Sequence, residues 1–347
     1  MNKGRDSLPE QILPGLYRLE IPIPHSPLKA TNAYVVKGKD RNLLIDTGQN
    51  HKASLAAMRS SLAGISVDLS KTDIVLTHMH ADHVGLLPFV RTDTSTVYAT
   101  ACDAEFINNF LTVGYSRDFF YQVACRSGFS PEEARQLTSR DQGITAAVKA
   151  PLDFSFVSEG TILAVGDYRF TCIETPGHTG GHICLYEPDR KLLLSGDHII
   201  GDISPNITFY REGGDPLGDF IASLEKTATL AVDLVLPGHR RVFTDCRSRI
   251  SELLEHHRQR AREVLAILAD GPATGYQVAA RMTWDMVFRV WSDVPVRQKF
   301  FATGEALSHL RYLECQGLVC RCAADDQTVY WHQQNSKPCL LSEPTGS

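Results

Sequence analysis

The stretch Asp73-Ile74-Val75-Leu76-Thr77-His78-Met79-His80-Ala81-Asp82-His83 runs from a short apolar segment straight into four metal-competent side chains. A run of this length that stops abruptly reads as a buried strand. His78 and His80 stand two residues apart, so an extended segment points both to one side. Asp82 and His83 follow where the chain can turn to face that side from the opposite direction. Any one of these histidines alone reads as a core or surface residue. Two histidines and an Asp-His pair inside six residues, directly after a strand, do not.

The same pattern recurs along the chain. Arg169-Phe170-Thr171-Cys172-Ile173 leads through Glu174-Thr175-Pro176-Gly177 to His178, Lys191-Leu192-Leu193-Leu194-Ser195-Gly196 leads to Asp197, and Asp233-Leu234-Val235-Leu236-Pro237-Gly238 leads to His239. A fifth run, Leu43-Leu44-Ile45, ends in Asp46-Thr47-Gly48. Rigid sheets position functional loops at strand ends, so these blocks are expected to converge on one site. His78, His80, Asp82, His83, His178, Asp197 and His239 give five imidazoles and two carboxylates. One catalytic zinc takes three protein ligands and a water. Seven ligands suit two divalent ions that share a hydroxide and a bridging carboxylate, which would be Asp197. Nitrogen and oxygen donors without thiolate suit zinc first, with manganese or iron as alternatives.

Composition sets outer bounds. The 347 residues are 43% hydrophobic and 22% charged, ordinary globular values that exclude collagen, coiled coil and wholesale disorder. About two domains are expected from the length. No apolar run approaches the ~18–20 residues of a membrane helix. The N-terminal residues lack the apolar core of a secretory signal. The nine cysteines are odd in number and scattered, which fits reduced thiols and a cytoplasmic protein. A net charge of −5 without like-charge runs disfavours a dedicated nucleic-acid binder.

Between the second and third ligand blocks, residues 103–150 read as a helical insertion with seven aromatics, among them Phe119 and Phe120. Ser130-Pro131-Glu132-Glu133 is a good helix start, with a Ser cap, Pro at the first position and Glu closing a capping box. The insertion reads equally as a helix packed on the sheet or as a cap over the site. After His239 comes a long amphipathic helix from Arg247 to about Asp270, stopped by Gly271-Pro272. A short helix over Tyr276–Met282 follows, then one over Thr303–Gln316 with Thr303 as its cap, and a hairpin of Leu318-Val319-Cys320 with Thr328-Val329-Tyr330-Trp331. Helix, helix, hairpin is the order of a winged helix.

On these residues the chain resembles the metallo-β-lactamase superfamily. The motifs are His-x-His-x-Asp-His at 78–83, Pro-Gly-His-Thr-Gly-Gly-His at 176–182, Ser-Gly-Asp at 195–197 and Pro-Gly-His at 237–239. The resemblance implies an α+β fold, an αββα sandwich over residues 1–246 carrying the 103–150 insertion. A winged-helix domain at 247–335 and a flexible tail at 336–347 would follow. It also implies that His78, His80 and His178 hold one metal, that Asp82, His83 and His239 hold a second, and that Asp197 bridges them. Asp46 and His182 would support those ligands through hydrogen bonds. Within the superfamily the catalytic block is most similar to hydroxyacylglutathione hydrolases, whereas the C-terminal module is similar to that of lactamase-fold proteins related to a single-strand endoribonuclease. His198 has no counterpart among the ligands and reads as structural.

The expected activity is dinuclear metal-dependent hydrolysis of a small ester, thioester or lactone. Two cations lower the pKa of a shared water from ~15.7 to about 7, and Asp82 keeps the resulting hydroxide oriented. No Gly-x-Ser-x-Gly elbow competes. An endoribonuclease and a non-catalytic ligand sensor stay open as alternatives. Residues 247–335 hold 11 basic and 10 acidic side chains, so that module is expected to pack or dimerise, with a homodimer as one outcome, and not to bind nucleic acid. Phe119, Phe120, Tyr210, Arg211 and Arg240 are candidate substrate contacts; the arginines would meet an acidic group.

Overall fold

The computed structural model describes residues 8–112, 117–139, 151–209 and 213–334. In chain order, β1 (Glu10–Leu13), β2 (Leu16–Pro22), β3 (Ala30–Val36) and β4 (Asn42–Ile45) precede α1 (Lys52–Gly64). β5 (Thr72–Val75), α2 (Ala81–Val84), α3 (Leu87–Val90), β6 (Val97–Ala99) and α4 (Ala101–Thr112) follow, then α5 (Arg117–Arg126) and α6 (Pro131–Ser139). Next are β7 (Ser155–Phe156), β8 (Ile162–Val165), β9 (Tyr168–Glu174), β10 (Ile183–Glu187), β11 (Leu192–Gly196), α7 (Pro216–Thr227) and β12 (Leu234–Pro237). The chain continues with α8 (Cys246–Leu268), β13 (Ala273–Thr274), α9 (Gly275–Arg281), α10 (Val296–Cys315), β14 (Val319–Ala323) and β15 (Val329–Gln333).

Two compact units divide the chain. The first holds residues 1–115, 144–205 and 223–250. Its strands make a seven-stranded sheet in the order β1 to β7 and a five-stranded sheet ordered β12-β11-β10-β9-β8. Alternation along β3 explains how the sheets are used. Tyr34 and Val36 point into a core shared with Phe170, Leu185, Leu194 and Leu236 of the other sheet. Ala33 and Val35 point the other way, onto Met58 and Leu62 of α1 and Ile107 of α4. Successive side chains of a strand take opposite faces, so one strand serves both layers. β4, β5, β6 and β7 pair in parallel, as do β11 and β12. Every residue of β11 is buried, as expected of a strand covered on both faces. The segments after β5, β9, β11 and β12 carry the seven candidate ligands, and Asp46 follows β4.

The second unit holds residues 116–143, 206–222 and 251–347. Residues 103–150, expected as one insertion in the catalytic domain, therefore divide between the units. α4 belongs to the first, while α5 and α6 group with the C-terminal helices through Phe129, Leu137 and Phe300. The second unit's main core joins Val264, Val278, Ala306, Leu310, Leu313, Val319 and Trp331. β13, β15 and β14 form its three-stranded sheet. α8 and α9 start and stop within a few residues of expectation. α10 does not: it begins at Val296, and Thr303 lies inside it, buried, with Pro295 at the cap position and no side-chain capping bond. No helix among the described residues is long and apolar enough to cross a membrane, and the expected tail at 336–347 lies outside the described residues.

Candidate metal centre

Four loops of the first unit bring together all seven residues singled out as ligands. Three overlapping groups result: His78, His80 and His178; His78, His83 and Asp197; Asp82, His83 and His239, with the donor atoms of each within 4.8 Å of one another. Asp197 lies between the outer groups. Its Oδ2 is 3.5 Å from His178 Nε2 and 3.3 Å from His239 Nε2, and its Oδ1 is 3.6 Å from His83 Nε2. Tight turns make this approach possible. A Cβ at Gly238 would stand 2.4 Å from Asp197 Oδ1 and 2.9 Å from the His83 ring, so the residue before His239 must lack a side chain.

Hydrogen bonds on the far side of each ring decide which nitrogen faces the centre. Asp46 accepts from Thr77 N, from Thr77 Oγ1 and from His83 Nδ1, each at 2.8 Å. Because the Thr77 hydroxyl donates to Asp46, it accepts from His78 Nδ1 at 3.0 Å. His239 Nδ1 donates to the Ala30 carbonyl at 2.8 Å. His78, His83 and His239 thus each keep a proton on the outward Nδ1 and turn Nε2 toward the centre. His83 Nε2 and His239 Nε2 face each other at 3.3 Å, and His78 Nε2 lies 3.1 Å from His80 Nδ1. Asp197 Oδ1 is buried and accepts no hydrogen bond among the described residues. Imidazole nitrogens and carboxylates converging at such distances fit divalent cations.

Burial, then the neighbouring imidazoles, holds His78 far below the usual histidine range; burial and His178 push His80 down to about 3. Burial also pulls on His83 and His239, but the carboxylates around them outweigh it and raise both. Asp82 and Asp197 resist the upward pull of burial because His83 and His239 hold them ionised. Asp82 is more open than Asp197, its side chain 22% exposed against 8%.

The supporting residues behave differently from the ligands. His182 accepts Asp197 N–H on Nε2 at 3.1 Å and so donates from Nδ1 to Thr175 Oγ1 at 2.7 Å. Both its nitrogens are engaged in bracing the Asp197 loop. His198 bonds Thr227 Oγ1 at 3.1 Å, away from the ligand groups. Asp46 adopts a left-handed φ of 58°, which aspartate tolerates better than most residues, and thereby reaches two loops at once. One carboxylate was not anticipated from sequence: Asp103, buried at the start of α4, accepts hydrogen bonds from both the 79 and the 179–181 segments. Its only sequence signal is an acid in a helix's first turn, which is commonplace.

The candidate substrate contacts do not gather in the same way. Phe119 and Phe120 lie on α5 in the second unit, and Phe120 meets Phe300 edge to face at 5.7 Å. Phe120 is therefore part of that unit's core, as aromatics at helical spacing commonly are. Arg240 follows His239 with a left-handed φ of 69° and donates to the Pro27 carbonyl at 3.2 Å. Tyr210 and Arg211 lie outside the described residues.

Stacked sheets with His- and Asp-bearing loops at their strand ends define a class, and the metallo-beta-lactamase superfamily model matches residues 27–239. The chain belongs to that superfamily and is a metal-dependent hydrolase; the fold implies divalent metal binding. Its similarity to individual proteins extends past the family segment. It is 27% identical over 312 residues to the probable metallo-hydrolase YqjP of Bacillus subtilis, covering 86% of this chain and 89% of that protein. It is 28% identical over 226 residues to the acyl-coenzyme A thioesterase MBLAC2 of Bos taurus, covering 61% of this chain and 74% of that one. Among solved structures, the metallo-beta-lactamase family protein TTHA1429 of Thermus thermophilus matches with a TM-score of 0.77 and 29% identity, over 93% of this chain and 100% of that chain.

Proposed function

We propose that this protein hydrolyses a small thioester, ester or lactone at a dinuclear metal centre. The observation that carries the reading is the inward set of donor atoms on two triads with Asp197 between them. His78, His80 and His178 would hold one divalent ion, Asp82, His83 and His239 the other, and Asp197 would touch both; zinc is the first candidate. When bound, such ions supply an activated water near neutral pH and polarise a carbonyl oxygen. The chain's own residues do the remainder. Asp46 fixes the orientation of His83 and, through Thr77, of His78. Asp82, more open than Asp197, orients the attacking water through a carboxylate oxygen.

Charge supports an acyl substrate over a polynucleotide. The chain carries −5 overall. In α10, Lys299 is committed to Glu133 at 3.0 Å and Arg311 to Glu314 at 2.5 Å, which leaves few cations for phosphates. The name of the MBLAC2 relative supports a thioester in particular. Within the superfamily we assign the centre to the hydroxyacylglutathione-hydrolase kind. The order α9, α10, β14, β15, with β13 pairing β15, supports a winged helix, read as a packing or homodimerisation module. Arg240 is proposed to meet an acidic group on the substrate.

Elemental analysis of the metal-replete protein should give two ions per chain, and Asp197→Asn should weaken both. Turnover should appear on acyl-CoA thioesters, esters or lactones at ~150 mM salt and not on single-stranded RNA. Metal-dependent RNA cleavage with no acyl activity would overturn the substrate assignment.

A further inference from the structure

We infer that Asp103 is a positioning residue for one half of the centre: its single carboxylate ties together the two loops that present His78, His80 and His178. This rests on the metal-dependent reading above. Oδ2 accepts from Met79 N at 2.9 Å and from Thr179 Oγ1 at 2.7 Å, while Oδ1 accepts from Gly181 N at 2.8 Å. Met79 lies between His78 and His80, and Thr179 follows His178, so all three bonds end within one residue of a ligand or on the turn beyond it. Thr100 adds a fourth tie, donating from Oγ1 to the Gly181 carbonyl at 2.8 Å. The fit is close. A Cβ at Gly181 would stand 2.3 Å from Thr100 Oγ1 and 2.5 Å from Asp103 Oδ1, so the loop must carry glycine for the carboxylate to reach it.

Two features set this carboxylate apart from an ordinary loop staple. It is 2% exposed, and among the described residues no lysine or arginine pairs with it. A buried, unpaired carboxylate is costly, and neutral side chains could staple a loop more cheaply. Its reach is also one-sided. His83 is oriented by Asp46 and His239 by the Ala30 carbonyl, and neither bonds Asp103. Disturbing Asp103 should therefore loosen the triad of His78, His80 and His178 and spare that of Asp82, His83 and His239.

Asp103→Asn keeps the shape but offers one acceptor oxygen to three donors, and its NH2 must confront a backbone N–H or the Thr179 hydroxyl. The test is stepwise titration of the full-length apo-protein with Zn(II) against a chromophoric chelator. The visible spectrum of the Co(II)-loaded protein and the melting temperature of the apo-protein are recorded beside it. For Asp103→Asn, one of the two binding constants should fall ~10–100-fold while the other is unchanged, and the Co(II) spectrum should change for that site alone. Thr179→Val, which removes one bond and keeps the carboxylate, should move the same constant by less, and it decides the matter should Asp103→Asn fail to fold. Both constants falling together with the melting temperature, or neither moving, would overturn the positioning role. If the wild type takes up a single ion, the dinuclear reading falls, and the same comparison on that ion still decides the role of Asp103.

Discussion

In the first unit the buried carboxylates Asp46 and Asp103 each accept three hydrogen bonds, and His182 and Thr77 use both their donor and acceptor capacity. In the second unit, Thr303 Oγ1, Ser308 Oγ, His257 Nε2 and Arg260 NH2 are buried without a hydrogen-bond partner among the described residues. Polarity and unpartnered atoms are common to both cores, but in the first unit the bonded groups converge on the candidate centre. A satisfied buried network rigidifies and selects a single arrangement, while an unsatisfied one costs free energy and specifies little. The contrast implies that the first unit's polar core serves the geometry of the centre. The second unit holds together chiefly by apolar burial around Trp331, Leu310 and Val264.

Equivalent Thr→Val substitutions break or sharpen that contrast, since they swap a hydroxyl for a methyl at constant shape. Thr77→Val should have the largest effect. It removes a bond to Asp46 and leaves His78 Nδ1 without its acceptor. Metal affinity should drop by ~10–100-fold, and stability by about 1–3 kcal/mol, because buried groups lose their partners. Chelator competition and denaturant melts measure the two. An unchanged metal affinity would mean that the wiring is incidental to the centre.

How much of this was legible beforehand follows the same division. The seven candidate ligands could be read because their four blocks each follow a short apolar run at a turn, so residue type and strand punctuation coincide. The capping box at 130–133 was legible too: Glu133 N donates to Ser130 Oγ at 3.2 Å, and Ser130 Oγ in turn meets Glu133 Oε2 at 3.0 Å. Asp103 was not, because its partners lie 24, 76 and 78 residues away and nothing local marks it. The grouping of α5 and α6 with α10 depends on Phe129 and Phe300, a long-range contact that periodicity cannot reveal. The early start of α10 was hidden because Pro295 supplies no side-chain cap, whereas Thr303 looks like one.

The second unit does contain satisfied polar ties, and one of them gives an intermediate effect. Glu133 Oε1 accepts from Lys299 Nζ and from the Tyr276 hydroxyl, each at 3.0 Å. Burial opposes Glu133's charge, but Lys299 and Tyr276 outweigh it and lower its pKa. Stability from a lowered carboxyl is present above its unfolded value near 4.5 and lost as pH falls through the folded one. Lys299 is raised, so its share is present below its unfolded value of 10.5 and lost as pH rises through the folded one. Glu133→Gln should therefore cost about 1 kcal/mol at neutral pH, modest because the pair is partly solvated. The difference from wild type should vanish in acid. Melts at pH 7 and pH 3 test this; an undiminished gap in acid would show that the ion pair is not its source.

Thr303→Val should have the smallest effect, and it bears most directly on the contrast. Thr303 is 2% exposed inside α10, and its hydroxyl has no partner among the described residues. Folding then strips that hydroxyl of water without returning a bond, a cost the methyl of valine does not carry. Threonine and valine are close in helix propensity and both β-branched, so the backbone should not register the exchange. Stability should stay within about 0.5 kcal/mol of wild type or rise, the range of changes that break no named interaction, and metal affinity should not move. A loss comparable to that of Thr77→Val would mean that the Thr303 hydroxyl is bonded in solution. In that case the Thr303 hydroxyl is a bonded group like that of Thr77, and the difference drawn between the two cores narrows.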